Sequence, residues 1–171
     1  RDLVAIDSTS TRSNLPMVEV LQQHLAALDF RCEVQRYRDD AGVEKANLIG
    51  QWGDGLPELA LVGHSDCVPF DASWAEALTL TEREGRLYGR GAADDKAGIM
   101  AHVAALRAHS GSVPVGVTVF VEGEEEIASA SLPTILEKHG ERLRADAIVL
   151  ADSTNWAIGE PALTTTLRGR R

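Results

Sequence analysis

The sequence predicts an α/β domain in which a mostly parallel or mixed sheet is flanked by helices. Three segments are near-continuous apolar runs, as is typical of strands that are buried on both faces: 58–64, 113–123 and 145–152. Segments with helical character lie before and between these runs. Buried strands that alternate with helices are the pattern of a layered α/β domain, and the 171 residues suffice for one such domain.

The chain is predicted to begin with two helical segments. Segment 1–6, RDLVAI, has the composition of a helix. Segment 14–29 is predicted to be an amphipathic helix, because its apolar residues recur at helical spacing. These residues are Leu15, Val18, Leu21, Leu25 and Leu28.

Two strands are predicted to follow the second helix. Segment 31–38 alternates between polar and apolar residues, which is the pattern of a strand with one buried face. A second strand is predicted over 46–52, because it lies between the turn-rich segments 39–44 and 53–57.

The middle of the chain is predicted to form a strand, a hairpin and a helix. The apolar strand 58–64 comes first, and segment 78–91 then resembles a hairpin that turns at Glu84 and Gly85. Segment 95–110 is rich in small and apolar residues, so it predicts a helix that packs closely on a sheet.

The last third is predicted to contribute three strands and a helix. The apolar strand 113–123 is followed by a helix over 130–140, with Gly140 as its stop signal. The apolar strand 145–152 and a further strand over 162–169 complete the predicted elements.

Composition and charge exclude several classes of partner. The net charge of −9 argues against a nucleic acid or an anionic membrane, which attract basic surfaces. No run approaches the ~18 apolar residues of a membrane span, and no signal peptide is recognisable. Cys32 and Cys67 are too few and too scattered for a disulfide framework or a paired-cysteine zinc site. We therefore expect a cytoplasmic protein with buried thiols.

Acidic residues and one histidine follow the predicted buried strands. In open α/β sheets, functional residues gather in the crevice beyond the carboxyl ends of the strands. The residues in question are His64 and Asp66 after the first apolar strand, Glu122, Glu124, Glu125 and Glu126 after the second, Asp152 after the third, and Asp94 and Asp95 before a helix. We expect them to share one rim of the sheet.

Such a rim predicts a bound cation, because a group of carboxylates in one pocket does not stay ionised unless a cation balances the negative charge. Imidazole nitrogen and carboxylate oxygen are ligands that suit zinc, with manganese or cobalt as alternatives. Asp66 lies two residues after His64 and therefore on the same side of a strand. In that position it can hold the imidazole in one tautomer and make it a better ligand.

Each signal has a plainer interpretation when it is taken alone. A histidine at a strand end is often only a satisfied polar residue, and an acidic turn is often only solvated. Two aspartates before a helix often act as a cap. The GRGAADD segment also suggests a dinucleotide loop, but Asp94 stands where a third small residue is needed and would repel a pyrophosphate. The joint placement of the signals after successive strands favours the metal site.

Four motifs resemble the co-catalytic di-zinc amidohydrolases and peptidases. This family includes acetylornithine deacetylases, succinyl-diaminopimelate desuccinylases and carnosinase-type dipeptidases. The motifs are GHSDCVP, LYGRGAADDKAG, VEGEEEIAS and VLADSTNWAIGEPALTTTLRG, and they occur in the family's order along residues 1–171. The acidic motifs are similar to the dipeptidase branch, whereas VPFDASW is similar to the deacetylases.

The resemblance implies a role for each rim residue. His64 and Asp152 would bind one zinc ion, Asp94 would bridge two, and Glu126 would bind the second. Glu125 would be the general base, and Asp66 would orient His64. In the family, the peptide bond after the bridging aspartate is cis. The remaining histidines, His24, His102, His109 and His139, match no ligand motif.

The resemblance also implies an activity and a larger protein. The expected reaction is hydrolysis of an amide bond in a dipeptide or an N-acyl amino acid by a metal-activated water. Residues 1–171 would be the N-terminal part of a zinc-peptidase-like catalytic domain. A lid domain, through which family members form homodimers, would follow residue 171, as would a late histidine ligand. The alternative is a truncated or non-catalytic metal-binding domain of the same fold.

The chain departs from the family's pattern at two glycine positions. Ala97 and Ala128 stand where family members usually carry glycine. Neither change removes a predicted ligand, but both are expected to crowd the local turn.

Overall fold

A five-stranded sheet forms the centre of the molecule. The computed structural model describes residues 1–53, 58–109 and 113–166. Within them, the sheet has the order β1-β2-β6-β3-β7. Its strands are β1 (Arg31–Arg38), β2 (Glu44–Trp52), β3 (Glu58–His64), β6 (Gly116–Glu122) and β7 (Ala147–Leu150), and the separate hairpin consists of β4 (Thr81–Arg83) and β5 (Arg86–Tyr88).

The central sheet is mixed. β1 pairs with β2, and β2 with β6, in the antiparallel sense. β3 pairs with β6 on one side and with β7 on the other, both in the parallel sense. The predicted α/β class with a mixed sheet is thereby confirmed.

Three α-helices cover the two faces of the sheet. They are α1 (Leu15–Ala26), α2 (Lys96–Ala108) and α3 (Leu132–Leu143). The larger core joins α1 and α2 to one face, where Val117, Val119 and Val121 of β6 contribute to it. The smaller core joins Ile135 of α3 to Phe120 on the other face. Side chains alternate between the faces of a strand, so β6 supplies both cores.

Three sequence predictions about local structure are wrong. Residues 2–5 form a turn rather than a helix. α3 continues past Gly140 to Leu143, so the predicted stop does not end it. Residues 162–166 contain no strand, and the rest of the strand predicted over 162–169 lies outside the described residues.

The apolar strand β7 was predicted to be buried, but all of its residues are exposed. Ile148 is 58% exposed and Leu150 is 61% exposed. The reason is its place at the edge of the sheet, where β3 is its neighbour and no described element covers its faces. A run of apolar residues indicates that a strand can be buried, but it does not show whether another element packs against that strand.

The parallel strands bring their carboxyl ends to one edge. His64, the last residue of β3, is in register with Glu122, the last residue of β6. β7 runs in the same direction and ends at Leu150, two residues before Asp152. Among the described residues, no helix is both long and apolar enough to cross a membrane.

Candidate metal centre

His64 is the buried centre of this edge. It is 2% exposed, and its Nδ1 lies 3.0 Å from the carbonyl oxygen of Asp66 and 3.3 Å from the Asp66 Oδ1 atom. Both neighbours are acceptors, so we infer that Nδ1 carries a proton and donates it to Asp66. The other nitrogen, Nε2, lies 2.9 Å from Asp94 Oδ1, so without a metal ion it also holds a proton, and a bound metal ion would replace that proton.

Three carboxylates face the Nε2 atom of His64. The distances from Nε2 are 2.9 Å to Asp94 Oδ1, 3.7 Å to Asp152 Oδ2 and 4.0 Å to Glu125 Oε2. Asp94 precedes α2, and the peptide bond between Asp94 and Asp95 is cis, as the resemblance implied. Glu125 belongs to a short 3₁₀ turn, Glu125–Ile127, that follows β6.

The electrostatics of the site favour a cation. Burial alone would lower the pKa of His64, but its hydrogen bonds and the charges of nearby aspartates outweigh burial and raise the pKa to about 10. Burial, followed by the negative charge of Asp94, raises the pKa of both Glu126 and Asp152. Excess negative charge at one point is relieved by a proton or by a metal ion.

The donor atoms fit a divalent metal ion. His64, Asp94 and Glu126 each offer one ligand atom, and these atoms all lie within 4.8 Å of one another. One imidazole nitrogen and two carboxylate oxygens are a ligand set that zinc accepts, with further positions left for Asp152 or water. This geometry groups Glu126 with His64, whereas the resemblance assigned them to different ions.

Asp66 connects the elements of the site. Its side chain is fully buried, and its Oδ1 and Oδ2 atoms accept hydrogen bonds from the backbone N–H groups of Glu125 (3.1 Å) and Glu126 (3.3 Å). The predicted contact with His64 is present as well. Although burial opposes it, the hydrogen bonds from His64 and Ser10 lower the pKa of Asp66, so it remains an acceptor.

Asp95 is a buried member of the rim for which the sequence suggested no role. Its Oδ2 atom accepts a hydrogen bond of 3.1 Å from the backbone N–H of His64. A Cβ atom placed at Gly98 would lie only 1.9 Å from Asp95 Oδ1, so the glycine makes room for this carboxylate. Burial raises the pKa of Asp95 to about 6. The glycine in the first turn of a helix was the sequence signal for this packing.

Two other acidic residues of the predicted rim do not belong to the ligand cluster found among the described residues. Glu124 turns towards the start of α3, where its Oε2 accepts a hydrogen bond of 3.1 Å from the N–H of Ser131. Glu122 is buried, and burial raises its pKa.

Two histidines also lie outside the cluster. His102 lies on α2, 3.2 Å from the carbonyl oxygen of Val62, and His24 contacts Arg107. Neither histidine belongs to the ligand cluster found among the described residues.

The fold and the site define an α/β domain with a candidate metal centre at the carboxyl edge of its parallel strands. Residues 60–166 match the peptidase family M20/M25/M40. This match covers more than half of the chain. The chain therefore belongs to this family, and the resemblance seen in its motifs is confirmed.

Individual relatives agree with this assignment. An acetylornithine deacetylase from Myxococcus xanthus is 48% identical in an alignment of 133 residues that covers 75% of this chain and 35% of the relative. A cysteinylglycine-S-conjugate dipeptidase from Corynebacterium striatum is 41% identical in an alignment of 119 residues that covers 66% of this chain and 26% of the relative.

A solved structure shows the same fold. Human carnosine dipeptidase 1 superposes with a TM-score of 0.82 and 27% identity, over 91% of this chain and 37% of that protein. The chain thus spans about a quarter to somewhat over a third of the length of these three proteins.

Proposed function

We propose that this chain is the N-terminal part of the catalytic domain of a metal-dependent hydrolase. The reaction would be cleavage of an amide bond in a dipeptide or an N-acyl amino acid. The observation that carries the proposal is the Nε2 side of the His64 imidazole, around which carboxylates of Asp94, Asp152 and Glu125 converge. A lid domain, with a role in dimerisation, would belong to the remaining length of the protein.

Each side chain of the rim has a proposed part. His64, Asp94, Glu126 and Asp152 would hold the metal, for which zinc is the first choice and cobalt or manganese are alternatives. The bound ions would supply a Lewis acid that lowers the pKa of a water and polarises the substrate carbonyl. Asp66 would keep His64 in the tautomer that can bind metal.

Glu125 is proposed as the general base and acid. It is 48% exposed, so it can reach water and substrate, while its Oε2 lies 4.0 Å from His64 Nε2. Glu125 would take a proton from the attacking water, whose oxygen forms a bond to the carbonyl carbon. The carbon–nitrogen bond then breaks, and Glu125 returns the proton to the leaving amine. A residue placed in this way is not needed for metal binding alone, which disfavours the non-catalytic alternative.

The substrate class rests on the relatives. The matched deacetylase and dipeptidases are named for reactions in which an amide bond to an amino acid is cleaved. The rim residues act on the bond itself and are the same for either substrate. We therefore propose the shared amide bond as the target and leave the acyl group open.

Replacing Glu125 and Glu126 separately tests the proposal in a chain of the relatives' length. Glu125→Gln should retain metal and lower kcat by about 10²–10⁴-fold, because it removes only the proton carrier. Glu126→Gln is the matched control, since it makes the same chemical change one residue later and should weaken metal binding. Zinc content and steady-state rates on a dipeptide and an N-acetyl amino acid are measured together. Full turnover in a metal-replete Glu125→Gln protein would exclude Glu125 as the base.

A further inference from the structure

The segment before α1 lies directly beneath the candidate metal centre. Ser10 is 2% exposed. Its backbone N–H donates to the carbonyl oxygen of Cys67 (3.0 Å), and the N–H of Cys67 donates to the carbonyl oxygen of Ser8 (3.1 Å). These paired hydrogen bonds tie the segment to the stretch of chain that follows His64.

The Ser10 hydroxyl points at the Asp66 carboxylate. Its Oγ lies 2.8 Å from Asp66 Oδ2 and 3.1 Å from the carbonyl oxygen of Cys67. A hydroxyl has a single proton to donate, and hydrogen bonds to ionised acceptors are shorter and stronger. The shorter contact with the carboxylate is therefore the principal bond.

The hydrogen bond from Ser10 completes the set of partners around the Asp66 carboxylate. A carboxylate offers about four acceptor positions. Oδ2 accepts from Ser10 Oγ and from the N–H of Glu126, and Oδ1 accepts from the N–H of Glu125 and faces Nδ1 of His64. Without Ser10, a fully buried carboxylate would lose one of its four partners and could rotate. Its rotation would disturb both His64 and the turn that carries Glu125 and Glu126.

Lys45 fixes the position of Ser10 from the other side. It is fully buried on β2, and its Nζ donates a hydrogen bond of 2.6 Å to the carbonyl oxygen of Ser10. Buried lysines are rare unless they are paired. The carboxylates of Asp66, Asp39 and Glu124 supply the opposing charge. Lys45 lies near the start of β2, just before the strand that the sequence predicted over 46–52.

We infer that Ser10, held by Lys45, is a positioning residue for both sides of the candidate metal centre. It acts through Asp66, which links the ligand His64 to the backbone of Glu125 and Glu126. This role goes beyond orientation of one imidazole, because a single hydroxyl controls two parts of the site. The effect on metal binding rests on the proposed function, whereas the effect on the turn does not.

The test compares Ser10→Ala with Ser8→Ala in the 171-residue protein. Ser8 is a matched control, since it is 1% exposed on the same segment but its hydroxyl contacts the Cys67 sulfur at 3.5 Å. In metal-free protein, Ser10→Ala should speed amide hydrogen exchange at Glu125 and Glu126 by about tenfold, because their acceptor is released. Zinc affinity, measured by competition with a chelating dye, should fall about 10–100-fold. Ser8→Ala should change neither quantity, and Ser10→Thr, which restores the hydroxyl, should recover both.

The outcomes separate the inference from the proposed function. Equal amide exchange in the Ser10→Ala and Ser8→Ala proteins overturns the inference. Faster exchange in Ser10→Ala, combined with no zinc binding by the unsubstituted protein, supports the inference and contradicts the proposed function. If Ser10→Ala does not fold, Ser10→Cys takes its place, because it keeps the shape of the side chain and offers only a weak donor.

Discussion

At the scale of single residues, the two nitrogens of His64 have different neighbours and therefore different tasks. Nδ1 faces acceptors of Asp66 inside the protein, and Nε2 faces carboxylates at the open edge of the sheet. A buried imidazole that served only packing would not need three carboxylates on its second nitrogen. The arrangement supports the proposal that His64 is a metal ligand whose other nitrogen is fixed by a hydrogen bond.

Replacement of His64 should abolish tight metal binding. His64→Ala is expected to weaken zinc affinity by more than about 100-fold, since even changes to residues that only orient a ligand cost about 10–100-fold. His102→Ala is the control, because His102 is also buried but contacts a backbone carbonyl on another element. Zinc content after dialysis and a chelator competition measure both proteins, with urea unfolding in EDTA to correct for stability. Equal zinc affinity in the two variants would refute the assignment.

At the scale of elements, the turn after β6 contains an unfavourable backbone conformation. Ala128 has a φ of 75° and Ser129 a φ of 53°, which place both residues in the left-handed region. That region costs an L-residue about 1–2 kcal/mol, whereas glycine enters it readily. Ala128 stands where the family usually has glycine, so the expected crowding of the turn takes the form of backbone strain.

Replacement of Ala128 by glycine should therefore stabilise the protein. We expect Ala128→Gly to raise the free energy of unfolding by about 1 kcal/mol, because relief of the left-handed strain exceeds the entropy cost of glycine. Ala97→Gly is the matched control at an exposed position in the first turn of α2. There the same change should lower the free energy of unfolding by about 0.5–1 kcal/mol. Urea unfolding measures both, and a destabilised Ala128→Gly protein would contradict the backbone argument.

The rim could be predicted from the sequence because its signals are local. Apolar runs locate the strands, and the residues directly after each run lie at the same edge once the strands are parallel. His64, Asp152 and Glu126 were placed at the rim in this way, whereas Asp94 precedes a helix, and the choice of these four as ligands came from the family resemblance. Glu124 was misplaced because the direction of a side chain in a turn depends on the backbone conformation, which a run of identical glutamates does not reveal.

The hydrogen bonds that hold the site in place could not be predicted from the sequence, because they join distant parts of the chain. Ser10 meets Asp66 across 56 positions, and Lys45 meets Ser10 across 35 positions. Neither Ser10 nor Lys45 belongs to a periodic sequence pattern from which its hydrogen-bond partner could be identified. Likewise, the exposure of β7 depends on which elements lie beside it, and that is a property of the tertiary arrangement.

At the scale of the whole molecule, the described residues contain one group of side chains whose geometry suits a metal ion. His64, Asp94 and Glu126 are the group found among the described residues, and Asp152 approaches the same imidazole at 3.7 Å. A second ion would have to share Asp94 and would have few further ligands of its own. Binding of zinc weakens when fewer than three protein ligands are available.

We therefore expect the 171-residue protein to bind about one tight zinc ion per chain and to hydrolyse substrate far more slowly than a chain of the relatives' length. Activation of water by two ions needs both positions filled, and exclusion of water from the substrate needs a covering element. Isothermal titration with zinc gives the stoichiometry of each length. Rates on a dipeptide and an N-acetyl amino acid give the activity. Two tight ions and equal turnover in the short chain would contradict the prediction and would point to a further ligand, for which His102 would be the first residue to replace.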